Sequence, residues 1–151
     1  MDINALLAIP IDGVPVEPLE LDPAFAYDAS RGQYYSTKIL ERLPRGKVAV
    51  TSHDLFIPIL EFVFGEAEIG GGRAVVSTHR LRQEFYGLPA DPELARQRLL
   101  KESVHELGHT LGLTHCENYE CVMAPSHAVE WIDLKSSHVC WHCRRAILIG
   151  D

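Results

Sequence analysis

Residues 105 to 123 read HELGHTLGLTHCENYECVM, and these nineteen positions hold three histidines, three glutamates, two cysteines and a methionine. His105 and His109 are four apart, which on a helix sets them about 40° apart and one turn along. Two imidazoles in that relation can grip one ion. Glu106 projects about 100° from His105, beside such an ion rather than onto it, where an unligated carboxylate can take a proton from water. A third ligand farther along the same straight helix would point away. Gly112 supplies a stop, because glycine tolerates the left-handed conformation that ends helices. Three residues later His115 can swing back as a third ligand and leave one coordination position open. Three neutral nitrogens with an open position describe a catalytic zinc site, with Glu106 as its general base.

A second ligand set lies in the cysteines. All four fall in the last quarter of the chain, as Cys116-x4-Cys121 and Cys140-x2-Cys143, with eighteen residues between the pairs. That is knuckle spacing for one zinc held by four thiolates, a closed structural site. Asp2 stands where a secretory leader would carry a basic residue, and Pro10 breaks the short apolar run behind it. The expectation is therefore a cytoplasmic protein in which clustered cysteines bind metal, with two zinc ions per chain; two disulfides in a secreted protein are the alternative. His138 and His142 flank the second pair and could replace a thiolate, but four cysteines already complete the shell. His53, His79 and His127 read as surface or core polar residues.

The elements that must position these groups follow from patterning. A chain of 151 residues is about one domain. Its net charge of −7 speaks against a nucleic-acid partner, and no apolar run reaches the roughly eighteen residues of a membrane span. Residues 3–11 read as a buried strand and 14–21 as an edge strand or extended loop. Residues 30–44 read as a helix, with Tyr35, Ile39 and Leu43 every fourth position and Pro44 and Gly46 as the stop. Residues 47–56 predict a strand, and 61–69 and 72–81 two strands joined at Gly70-Gly71-Gly72. Asp91-Pro92 opens a long helix, N-cap then proline, along which Leu100, Val104, Leu107 and Leu111 form an apolar stripe. The fold class is α/β, a mostly parallel sheet with helices packed on it.

HELGHTLGLTHCENYECVM followed by CWHC resembles the archaemetzincins, zinc metallopeptidases of the metzincin clan. His105, Glu106, His109, Gly112 and His115 match the clan's extended motif, and Cys116, Cys121, Met123, Cys140 and Cys143 match the family's additions. Sixteen residues separate Met123 from Cys140, one fewer than the family spacing. The resemblance implies a mixed, mostly parallel sheet with an antiparallel edge strand at 61–69 above the cleft. It also implies Met123 in a Met-turn beneath the histidines, and a small zinc-stapled subdomain over 113–151 following an N-terminal subdomain over 1–112, the two forming one catalytic domain. Some metzincins carry a tyrosine ligand two residues after the methionine; here that position is Pro125, which leaves Tyr119 and His127 as candidates to stabilise an oxyanion.

The implied function is peptide-bond hydrolysis on a peptide substrate. Two rivals stand beside it: a silent, zinc-stabilised peptide-binding module of the same fold, against which an intact Glu106 counts, and a zinc knuckle binding nucleic acid through Arg144-Arg145, against which the acidic balance counts.

Overall fold

A single strand organises the core around the long helix. In the computed structural model, which describes residues 19–149, that strand is β6 (Arg73–Ser77), whose Ala74, Val75 and Val76 are at most 1% exposed. A strand apolar on both faces belongs in the middle of a sheet. β6 pairs in parallel with β3 (Lys47–Thr51), Lys47 opposite Arg73 through Thr51 opposite Ser77, and antiparallel with β5 (Gly65–Ala67). The order β3-β6-β5 leaves β5 at an edge. The turn between β5 and β6 passes through Gly70 and Gly72, both left-handed at φ 71° and 82°, so the glycine run makes the hairpin expected of it.

A second small sheet has the order β1-β2-β4, with β1 (Tyr27–Asp28) antiparallel to β2 (Gln33–Tyr35) and β2 parallel to β4 (Leu55–Phe56). Parallel and antiparallel ladders are thus two each among the described residues. The expected strand at 3–11 lies outside them, and of 14–21 only 19–21 are described, with no strand.

Two sequence expectations change here. The helix expected over 30–44 is a turn and strand β2, then a short helix α1 (Ser36–Leu40). Tyr35 is drawn into the ladder opposite Phe56, so spacing by four carried its apolar residues across two element types. The strand expected over 47–56 is β3 and β4, in different sheets.

Helix α2 (Pro92–Thr110) packs across β6 and β5. Asp91 caps it by accepting a hydrogen bond from the Leu94 N–H at 3.1 Å, and Gly112 leaves it in the left-handed region at φ 96°. Both ends stand where the sequence put them. Its inward face does not. Leu107 and Leu111 are exposed, while Leu99, Glu102, His105, Glu106 and His109 are buried. The helix turns a polar face inward because that face bounds the cleft, so the apolar stripe is no guide to its docking.

Beyond α2, helix α3 (Val129–Leu134) sends Val129 and Ile132 into a cluster with Phe64, Val76, Leu81 and Leu99. Leu113, Cys121, Val122, Met123 and Cys143 form a separate cluster, with Cys143 on helix α4 (Trp141–Ile149). No described helix is long and apolar enough to cross a membrane.

Candidate metal centres

His105 and His109 project from the last two turns of α2, and each is locked from behind. His105 Nδ1 lies 2.8 Å from the Val122 carbonyl and His109 Nδ1 2.7 Å from the Leu113 carbonyl. A carbonyl only accepts, so each Nδ1 carries the proton and each Nε2 is a bare lone pair. The two Nε2 atoms stand 3.1 Å apart. Burial holds His105 down to about 3, with the Lys135 charge acting in the same direction. A metal cation placed between two such lone pairs would engage both. Tetrahedral zinc with bonds of about 2.05 Å would set its nitrogens about 3.3 Å apart. After the Gly112 turn, His115 brings its ring to 5.3 Å from that of His105 and 5.0 Å from that of His109, centroid to centroid. One nitrogen from each of the three lies within 4.8 Å of the others. The donor set fits zinc.

The four cysteines also converge, unbridged, with sulfurs within 4.8 Å of one another. Cys116 Sγ to Cys140 Sγ and Cys121 Sγ to Cys143 Sγ are each 3.8 Å, the edge of a tetrahedron with zinc–sulfur bonds of about 2.3 Å. The backbone N–H groups of Met123 and Cys140 donate to Cys121 Sγ at 3.4 and 3.2 Å. A hydrogen bond from the Cys143 backbone N–H draws Cys140 down to about 7, while burial pushes Cys116 up. His138 and His142 stay exposed and outside the cluster.

The two centres share one stretch of chain. Cys121 belongs to the thiol cluster, Val122 supplies the carbonyl that orients His105, and Met123 is fully buried against α2. The contact is made at Gly108, in the turn between the two histidines, where a Cβ would overlap Met123 Sδ and come within 3.0 Å of its Cε. Gly108→Ala is therefore expected to destabilise the protein by about 1–3 kcal/mol, the usual cost of overpacking. Urea unfolding checks this, and an unchanged midpoint would show that Met123 can move aside freely.

Glu106 is 5% exposed and faces β5 across a close approach: a Cβ on Gly65 would lie 2.6 Å from the Val75 carbonyl and 3.0 Å from Glu106 Oε1. Burial, then the charges of Glu102 and Glu66, pushes its carboxyl well above the usual range. A cation held by the histidine centre beside it would favour the carboxylate form.

These groups floor a cleft of about 570 Å³. β5 forms one wall with Gly65, Glu66 and Ala67, and Pro125, Ser126 and His127 form the opposite one. The rim ahead of β5 is hung from side chains: Arg31 donates to the Leu60 and Pro58 carbonyls at 3.0 and 3.2 Å, and Gln33 to the Glu61 carbonyl at 2.9 Å. His127 thus reaches the cleft, whereas Tyr119 is exposed and outside its lining. His53 and His79 are half-buried in ring contacts with Tyr34 and Phe85, away from both centres. Sequence reasoning passed over Glu102 and Lys135, a buried pair 3.1 Å apart, of which Glu102 lines the cleft. No local spacing announces a pair 33 positions apart.

The profile of peptidase family M54 matches residues 28–148. The chain is 48% identical over 128 residues to an archaemetzincin of Methanocaldococcus jannaschii, covering 83% of this chain and 72% of that one. It superimposes on the crystal structure of an archaemetzincin from Archaeoglobus fulgidus complexed with malonate at a TM-score of 0.73, with 46% identity and coverage of 87% and 78% of the two chains. A zinc-dependent peptidase from Methanocorpusculum labreanum matches at a TM-score of 0.76, with 32% identity and coverage of 96% and 88%.

Proposed function

The chain belongs to peptidase family M54, the archaemetzincins, and is a zinc metallopeptidase; on that premise we propose that it hydrolyses peptide bonds with Glu106 as general base and then general acid. The observation that carries this reading is the pair of facing Nε2 atoms of His105 and His109, 3.1 Å apart in a cleft that His115 also lines. His105, His109 and His115 would hold the catalytic zinc, and Cys116, Cys121, Cys140 and Cys143 a structural one. Bound among the histidines, zinc supplies Lewis acidity that activates water near neutral pH and polarises a carbonyl.

The chain's own groups do the rest. Val122 and Leu113, through their carbonyls, fix the tautomer and aim of two histidines. Glu106, outside the histidine set, takes the proton of the attacking water and returns it to the leaving amine. Its walls of Gly65 and α2 hold the carboxylate in one place and exclude bulk water. The outer edge of β5 has no strand partner among the described residues, so an extended peptide can lie along it as an added strand. In this reading β5 is the antiparallel edge strand of a metzincin-type sheet, and Met123 the residue of its Met-turn. His127 is the side chain on the opposite wall best placed to meet an oxyanion.

We further place a subdomain boundary at Gly112, between 1–112 and 113–151, because the cysteine-bearing cluster is built almost wholly beyond it. α3 crosses back into the first core, which makes one catalytic domain of the two. Four unbridged cysteines suit a reducing, cytoplasmic setting.

Two zinc ions of different lability are the direct consequence. His115 is exposed and its centre opens into the cleft, whereas Cys121 and Cys143 are buried. Elemental analysis is expected to find two zinc ions per chain, falling to one after brief treatment with a chelator under native conditions. Histidine sites filled with the cysteines empty would contradict the assignment.

A further inference from the structure

Lys135 follows α3 and is fully buried, its side chain 0% exposed. Taking an ammonium out of water costs several kcal/mol unless good partners meet it. It has two. The ammonium lies 3.1 Å from Glu102 Oε1 and donates to the Ala124 carbonyl at 3.1 Å. Glu102 stands on α2 one turn ahead of His105 and Glu106 and belongs to the cleft lining. Ala124 follows Met123 and leads directly into Pro125 and Ser126, which line the opposite wall. One buried charge thus ties the metal-site helix to the wall that faces β5.

That tie is not needed to dock α3. Arg98 on α2 already donates to both Asp133 carboxylate oxygens at 2.8 and 2.7 Å, and Lys101 to the Ile132 carbonyl at 3.1 Å. Val129 and Ile132 pack beneath them. What only Lys135 does, among the described contacts, is hold the Ala124 carbonyl against α2.

We propose that Lys135 is a positioning residue for substrate: with Glu102 as its anchor it sets the height of the 124–127 wall, and so the width of the cleft in which a peptide lies against β5. The assignment rests on the peptidase reading of that cleft. Methionine keeps the length of the lysine stem and removes the ammonium, leaving the Ala124 carbonyl without its donor and Glu102 without its cation. Pairing it with Glu102→Gln removes the stranded charge but not the missing hydrogen bond.

Kinetics on a peptide the wild type cleaves, thermal melting, and amide exchange of residues 123–127 separate the possibilities. Lys135→Met is expected to melt lower and to raise KM by about tenfold, the effect of one hydrogen bond to a charged group, with kcat nearly unchanged. The double variant Glu102→Gln/Lys135→Met should recover the melting temperature while keeping the raised KM and fast exchange at 123–127. If Lys135→Met alone fails to fold, the double variant carries the test. Recovery of both KM and exchange protection in the double variant would overturn the proposal, leaving Lys135 as a counter-ion for Glu102 only. Wild-type KM in Lys135→Met would overturn it outright. Should the wild type cleave no peptide, the peptidase reading fails, and the exchange rates at 123–127 still decide whether Lys135 holds the wall.

Discussion

Glu106→Gln is expected to lower kcat by about 10²–10⁴-fold, the contribution of a positioned general base, while the protein keeps two zinc ions and its melting temperature. Glutamine matches the shape of glutamate, so the close approach to Gly65, 3.0 Å to Oε1 and 3.1 Å to Cγ from a notional Cβ, is undisturbed. It cannot accept and return a proton. Glu106 is absent from the converging histidine group, so the metal should stay. Because the proposed peptide contacts are made by β5 and the 125–127 wall rather than by the carboxylate, KM should change little. Steady-state kinetics paired with elemental analysis reads both outcomes. Turnover within a few-fold of wild type would remove Glu106 from the reaction, and loss of zinc would make it a ligand.

Cys140→Ser is the second large effect, and its reach is set by the chain that joins the centres. Cys121 Sγ is fixed by the N–H groups of Met123 and Cys140, Val122 orients His105, and the Cys116 N–H donates to the Met123 carbonyl at 3.0 Å. Removing one thiolate should release a metal whose binding is on the order of 10 kcal/mol in small zinc modules, similar to the stability of a whole domain. The cluster of Leu113, Cys121, Val122, Met123 and Cys143 then has little apolar area to hold it. Helix α3 has independent anchors in Arg98 and the first core. Fast amide exchange is therefore expected over 113–123 and 136–149, with α3 still protected and activity poor although all three histidines and Glu106 remain. A cooperatively folded variant with wild-type turnover would make the cysteines dispensable.

Much of the site was legible because its chemistry is local. HELGH fixes two imidazoles on one helix face, Gly112 ends that helix where φ must be positive, and each cysteine pair is closed within a short span of chain. These spacings leave the backbone little choice, and the structure gathers all seven side chains into two groups. Legibility fails where the decision is made at a distance. Tyr35 is a strand residue because β4 is beside it, with its partner Phe56 twenty-one residues on. Residues 47–56 divide between sheets because Leu55 and Phe56 pair with β2 and not with β6. The docking face of α2 was misread for another reason: hydrophobic periodicity assumes an apolar inward face, and a helix that floors a cleft buries Glu102, His105, Glu106 and His109 instead. Lys135 and Glu102 meet only through the packing of α3, and no window of sequence contains both.

The most direct test of the central claim is cleavage of a mixed peptide library by the zinc-loaded protein, followed by mass spectrometry of the products, repeated after chelation and again after zinc is restored. The account predicts new peptide termini with the intact protein, none once the histidine-site zinc is removed, and recovery of the same cleavage sites when zinc returns. Cleavage that persists with the histidine site empty, or a fully zinc-loaded protein that binds peptides and cuts none of them, would contradict it.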